Sequence, residues 1–311
     1  MSAVVELEKV QKCYGKVQAV EDVSLAIHKG EILGLLGHNG AVKTTLMKMI
    51  LGLISPSAGE VRVFGQPLDR KGVLALRQQL GYLPENVSFY EQLTGREVLD
   101  YLARLKGVGC AERDALLERV GLSHAADRRV KTYSKGMRQR LGLVQAMLGK
   151  PRLLLLDEPT VGLDPIATRD FYATLDELRS NGVTVLLCSH VLPGIERHVD
   201  RVAILGKGKL LALGSVEELR RHSRLPVAIH VRGIWKQEQW QQQLEQSGSQ
   251  IRRINGTRLE LMTPIENKME VMRLLLEVPD IQDIEVAAPS LETLYAHFGG
   301  HAGSTTPCAP S

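Results

Sequence analysis

One nine-residue stretch restricts the fold more than any other: Gly37-His38-Asn39-Gly40-Ala41-Val42-Lys43-Thr44-Thr45. It follows the aliphatic run Ile32 to Leu36 and opens a segment, Lys43 to Leu51, with helical spacing. Strand, glycine-rich turn and helix, in that order, form the context of a phosphate-binding loop. Backbone N–H groups and the helix N-terminus would hold phosphate oxygens. Lys43 would neutralise the β- and γ-phosphates, and the Thr44 hydroxyl would ligate Mg²⁺. The plainer alternative is an ordinary glycine turn, and the Lys-Thr-Thr placement argues against it. Val42 departs from the pattern, which has glycine there. Its branched Cβ would approach the phosphates, and valine does not take positive φ cheaply. Two outcomes stay open: weakened nucleotide binding or hydrolysis, or a loop that tolerates valine with a small shift.

The surrounding pattern points to an α/β fold, a P-loop NTPase core. Val4 to Val10 and Val20 to Ile27 read as strands, and Leu153 to Leu156 and Val183 to Cys188 are short aliphatic runs suited to buried parallel strands. Asp164-Pro165 reads as an N-cap with proline at the first helical position, and that helix stops at Asn181-Gly182. Residues 94–149 are helix-rich and read as an inserted helical subdomain. Ser215 to Glu218 forms a capping box. Composition shifts at Leu225-Pro226, and the segments that follow alternate β-α-β-β-α-β, a ferredoxin-like arrangement. The expected organisation is a nucleotide-binding domain at 1–222, a small α+β domain at 226–298, and a small polar tail at 299–311, expected to be disordered.

Two further motifs carry chemistry. In Leu153-Leu154-Leu155-Leu156-Asp157-Glu158-Pro159 a buried strand ends in adjacent acids, at the sheet edge where ligands of open α/β sheets sit. Asp157 can bind Mg²⁺, and Glu158 can polarise the water that attacks a γ-phosphate. In Tyr133-Ser134-Lys135-Gly136-Met137-Arg138-Gln139-Arg140, Ser134 and the N–H of Gly136 open a helix and make an anion site. Alone, that motif is equally a capped helix start. The formal net charge of +4, without a basic block, implies no nucleic-acid partner. The four cysteines, Cys13, Cys110, Cys188 and Cys308, read as free thiols in a reducing compartment. The N-terminus lacks signal-peptide features and no apolar run is long enough to cross a bilayer, so a membrane role would come through a partner. His297 and His301 lack further metal ligands nearby.

Taken in order over about residues 1–220, these motifs resemble the ABC transporter ATPase family. The resemblance implies ATP and Mg²⁺ as ligands. Tyr14 falls where an aromatic stacks on adenine, and Gly81-Tyr82-Leu83-Pro84-Glu85 matches the loop leading to the helical subdomain. That loop usually carries glutamine; the carboxylate of Glu85 could still touch Mg²⁺ or the attacking water. Gly162-Leu163-Asp164 matches the loop that crosses a dimer interface, and Ser189-His190 matches the switch histidine, which would bond the γ-phosphate and hold Glu158. The implied assembly is a homodimer sandwiching two ATP molecules. Glu158 acts in its own subunit, and Ser134 and Gly136, with Lys135 and Met137 in the same stretch, act across the interface together with Asp164. An integral membrane subunit would dock near Glu85 to Tyr90, through Phe89 and Tyr90 unless these simply pack in the core. The protein would then sit peripherally on the cytoplasmic side of the inner membrane.

The segments Gly81 to Tyr90, Val130 to Arg140 and Cys188 to Gly194 are similar to the ATPase subunit of the nos system, which supports copper-site assembly in nitrous-oxide reductase. That implies a sulfur compound or copper as cargo and a periplasmic maturation protein as a companion. Two alternatives are a soluble, non-transport ABC ATPase and a non-hydrolysing nucleotide-binding scaffold, the latter motivated by Val42 alone. Because Lys43, Thr44, Asp157, Glu158 and His190 are all present, the expectation is an ATPase impaired by Val42 rather than abolished, and relieved by Val42→Gly.

Overall fold

Alternating apolar residues build the first two strands, β1 (Ala3–Tyr14) and β2 (Val17–His28), which pair antiparallel. The computed structural model describes residues 2–37, 40–68, 76–190, 192, 194–233, 239–255, 257–278 and 281–300. β3 (Ile32–Leu36), buried at every residue, leads into α1 (Gly40–Ile50). β4 (Ala58–Val63) and the short β5 (Gln66–Pro67) complete an antiparallel sheet of order β2-β1-β4-β5. After β6 (Leu80–Leu83) come three helices of the insert, α2 (Gly95–Lys106), α3 (Cys110–Arg119) and α4 (Lys135–Met147). Thr94 and Glu97 close a reciprocal capping box at the start of α2, satisfying two backbone donors that would otherwise lack partners.

β7 (Leu153–Asp157), α5 (Pro165–Ser180), β8 (Thr184–Ser189), β9 (Arg201–Gly206) and β10 (Lys209–Gly214) follow. The second sheet has the order β10-β9-β3-β8-β7-β6, parallel from β9 to β6. β3, β7 and β8 are apolar along their lengths because both faces are covered. Leu46, Met47 and Ile50 of α1 join Val5, Val23 and Leu35 in one core shared by the two sheets. The parallel register sets Leu36 beside Ser189 and Asp157 beside Cys188. Gly37, Glu158 and His190 therefore leave the sheet at one edge.

A second compact unit begins at Gly214, so α6 (Val216–Ser223) belongs to it, whereas the sequence put residues up to 222 in the first domain. The Arg220 guanidinium donates to Pro289 O at 2.9 Å and ties α6 to the end of this unit. Its other elements are β11 (Val227–Gly233), α7 (Gln239–Gln246), β12 (Gln250–Asn255), β13 (Arg258–Thr263), α8 (Lys268–Leu276), β14 (Ile281–Ala287) and α9 (Leu291–Gly300). The antiparallel order β12-β13-β11-β14 is that of a split βαβ sheet. Val227, Ile229, Val231, Leu261, Val271 and Leu275 form its core. Of the tail expected at 299–311, Gly299 and Gly300 finish α9 and 301–311 lie outside the described residues. Cys110 and Cys188 are free thiols, as expected for them, and Cys308 lies outside the described residues. Among the described residues, no helix is long and apolar enough to cross a membrane.

Candidate functional site

At the common strand edge, Lys43 in the first turns of α1 donates from Nζ to Glu158 Oε1 at 2.8 Å, and both side chains are buried. The other oxygen, Glu158 Oε2, accepts the backbone N–H of His190 at 3.1 Å and lies 2.7 Å from His190 Nδ1. The Thr44 hydroxyl donates to Asp157 Oδ2 at 3.3 Å. Two adjacent carboxylates thus serve different partners. Asp157 ends β7, while Glu158 sits at φ +49°, a left-handed backbone that costs a non-glycine residue about 1–3 kcal/mol. Its N–H donates to Cys188 O at 3.0 Å and anchors the turn on β8.

Burial is the main cause that raises the Asp157 carboxyl above its usual value, and the Glu158 charge adds to it. Lys43 and the Thr44 hydroxyl pull it back, and the exposed Glu85 raises it further. The Tyr82 hydroxyl is pushed up to about 12, first by burial and then by Asp157. One ammonium faces two buried carboxylates, so the pocket has anionic capacity to spare. The Thr44 hydroxyl and the Asp157 carboxylate are hard oxygen donors side by side, a donor set suited to Mg²⁺.

Val42 has a packing place that the sequence does not announce. Its side chain is 5% exposed and belongs to the core that includes Leu46 and Leu35. It lies inside α1 and is absent from the residues with positive φ, so the backbone strain expected of it does not arise. Only its backbone N–H is left for phosphate. Val42→Gly should therefore destabilise the protein by about 3 kcal/mol, from the lost buried isopropyl group and from glycine in a helix. Urea unfolding checks this; an unchanged midpoint would contradict the packing.

His38 and Asn39 lie outside the described residues, as does the side chain of Ala41; the backbone of Gly40 and Ala41 opens α1. Thr45, within α1, is buried. Tyr14 ends β1 half exposed, with the Lys12 ammonium 5.4 Å from its ring centroid. Ser134 caps α4 by accepting from Met137 N at 3.2 Å, and Asp164 caps α5 by accepting from Ala167 N at 2.8 Å. These two helix starts meet. A Cβ on Gly162, at φ +84°, would fall 2.6 Å from Lys135 Cδ, so the Lys135 stem lies over that glycine. A Cβ on Gly136 would lie 3.5 Å from Leu163 Cδ2. Among the described residues, no hydrogen bond or ion pair joins this second cluster to Lys43, Asp157, Glu158 or His190.

Sequence reasoning named Phe89 and Tyr90 for a docking groove. The structure forms an apolar cavity of about 340 Å³ elsewhere, lined by Leu53, Tyr82, Leu102, Leu105 and Leu148 among others, with Leu53 and Leu105 largely exposed. Tyr90 is exposed and neither it nor Phe89 lines the cavity. Its lining comes from separate elements, with Leu53 after α1, Tyr82 on β6, Leu102 and Leu105 on α2 and Leu148 just past α4, and shares no motif.

A family model described as "ABC transporter" matches residues 20–161. An uncharacterised ABC transporter ATP-binding protein of Synechocystis is 40% identical over 230 residues, 70% of this chain and 64% of that protein, just under two thirds of its length. The bacitracin transport ATP-binding protein BcrA of Bacillus licheniformis is 38% identical over 226 residues, covering 72% of this chain and 74% of the relative. A solved structure of an ATP-binding subunit of an ABC transporter is 34% identical, with a TM-score of 0.66, over 70% of this chain and 92% of its own.

Proposed function

We propose, from the premise that this chain belongs to the ABC transporter family, that it hydrolyses ATP with Glu158 as base and Lys43 as phosphate clamp and thereby drives a membrane partner. The chain is an ATP-binding subunit and an ATPase of that family. The observation that carries the residue roles is the buried bridge from Lys43 through Glu158 to His190 at the strand edge.

When ATP arrives, Lys43 exchanges Glu158 for the β- and γ-phosphate oxygens, and α1 offers its N-terminal amides to the same group. Glu158, still fixed by the His190 N–H, is freed to take a proton from water as the water oxygen bonds to the γ-phosphorus and the bridge to the β-phosphate breaks. Thr44 and Asp157 would hold Mg²⁺, which when bound neutralises phosphate charge. Titration calorimetry with Mg-ATP, followed by phosphate release with and without EDTA, tests this; no association at millimolar Mg-ATP would end it. The non-hydrolysing alternative loses its motive, since Val42 packs in the core.

Ser134 and Asp164 cap their own helices and make no hydrogen bond to Lys43, Asp157, Glu158 or His190 among the described residues, and a second copy in an isologous dimer would bring them to the site. The apolar cavity beside Leu53 and Leu105 would receive a helix of the membrane subunit, which holds the protein peripherally on the cytoplasmic membrane face. For the domain limits, the nucleotide machinery lies within residues 1–213, and the split βαβ unit from Gly214 is an accessory domain.

The cargo is the finer question. The motif segments favour the nos system with copper or a sulfur compound; the relatives above carry no such name, and one is named for bacitracin transport. ATPase stimulation of the reconstituted complex by cuprous ion, by a sulfur donor or by a peptide antibiotic separates these, and a response to the antibiotic alone removes the nos reading and its periplasmic companion.

A further inference from the structure

An ammonium stands in the wall of the apolar cavity beside Leu53 and Leu105. Lys106 ends α2, half-buried, and its stem passes over Gly149, where an added Cβ would lie 3.3 Å from Lys106 Cδ. Its Nζ donates to Leu148 O at 2.8 Å, just past α4, and to Leu80 O at 3.2 Å, at the start of β6. Neither acceptor is a carboxylate. An ammonium has three protons to donate, so one is left without an acceptor among the described residues. Glu112 is the acid whose charge Lys106 feels, but its Oε1 already accepts the Gly149 N–H at 2.6 Å.

The imbalance extends over the whole cavity. Arg77, exposed, is its second cationic lining residue, and among the described residues no aspartate or glutamate lines it. The two carbonyls suit a lysine near a helix C-terminus, but they account neither for Arg77 nor for the missing acids. Leu53 and Leu105, 55% and 67% exposed, leave an apolar rim in water, the mark of a surface that a partner covers. Burial already lowers the Lys106 ammonium from its usual value. A purely apolar helix laid over the cavity would strip the ammonium of its remaining water and deepen that cost. A helix with an acid at the matching place offsets it, and a basic helix is repelled.

We propose that the membrane-subunit helix received by this cavity carries a carboxylate beside its apolar stripe, and that this carboxylate pairs with Lys106 while Arg77 adds to the positive field. The inference deepens the docking reading above and rests on it. Apolar contact with Leu53 and Leu105 supplies adhesion, and the unpaired cation selects the partner by charge.

The probes are two fluorescein-labelled helical peptides of about 16 residues, with leucines at i, i+4 and i+7 on an alanine and glutamine background. They differ only at i+8, glutamate in one and glutamine in the other. Fluorescence anisotropy with the full chain should show the glutamate peptide bound about five- to tenfold tighter. Raising salt from about 0.05 to about 0.5 M should reduce that preference below about twofold. Lys106→Met should bring the ratio of the two affinities to about one. Because Lys106 also ties α2 to β6 and α4, Leu105→Glu on the exposed rim serves as the second variant: it should weaken both peptides, the glutamate one more, with Tm within about 3 °C of wild type. Equal binding of the two peptides to wild-type protein overturns the charge pairing alone, as does a preference that survives Lys106→Met or high salt. Binding of neither peptide at about 1 mM, a threshold set by the weakest useful affinity, overturns the docking reading together with this inference. Self-association of the chain that Leu105→Glu abolishes would give the cavity to a second copy and overturn the proposal too.

Discussion

Glu158→Gln should reduce phosphate release about 10³-fold while Mg-ATP still binds. The amide keeps the shape of the side chain and an oxygen for the His190 N–H, but it accepts no proton from water. A second effect separates this variant from a generic loss of activity. In the nucleotide-free protein, Lys43 is 3% exposed at its side chain and its anionic partner is Glu158 at 2.8 Å. With glutamine there, the ammonium is buried without a counter-charge, at a cost of about 3 kcal/mol. ATP supplies the missing anion. The rise in Tm on adding Mg-ATP should therefore be larger in the variant than in the wild type, by linkage. Turnover at the wild-type rate would mean that another group is the base.

Lys43→Met acts on the opposite partner. The thioether fills the stem volume but leaves Glu158 buried beside His190 without its ammonium. Stability should fall by about 3–5 kcal/mol, as for a buried pair broken on one side. Affinity for Mg-ATP should fall about 10²-fold, since hydrogen bonds to charged groups contribute about 1.5–3 kcal/mol. Combining Lys43→Met with Glu158→Gln removes both charges and should restore part of the stability, with a coupling of about 1–3 kcal/mol. Urea unfolding of the four proteins and calorimetric titration with Mg-ATP provide the measurements. Additive stability losses would show that the pair seen at 2.8 Å contributes nothing in solution.

The sequence exposed what is local and concealed what depends on distant partners. Ile32 to Leu36 followed by Gly37 announces a strand and a loop because apolarity and glycine act over a few residues. The β-α-β-β-α-β order of the second unit was legible for the same reason. Asp157 and Glu158 announced a site and their separate roles, but what holds Glu158 in place was hidden, because it follows from a left-handed backbone at Glu158 and from register with β8. The departure at Val42 shows in the sequence, but its place in the core with Leu35 and Leu46 does not, because that depends on the packed helix. The groove beside Leu53 and Leu105 joins residues from separate elements that carry no shared pattern. The early end of the first unit has a similar cause: the capping box at Ser215 shows where a helix begins, but not what that helix packs against.

The Lys135 stem resting on Gly162, beside Gly136 and Leu163, has a bearing on assembly. What the primary structure presents as two motifs is mechanically a single lip. A partner chain would feel it as one rigid edge, and a bulkier residue at position 162 would reach that partner by pushing Lys135 aside. Genetic suppressors of a damaged helix start at Ser134 should accordingly accumulate around Asp164, on the same protomer rather than on the opposite one.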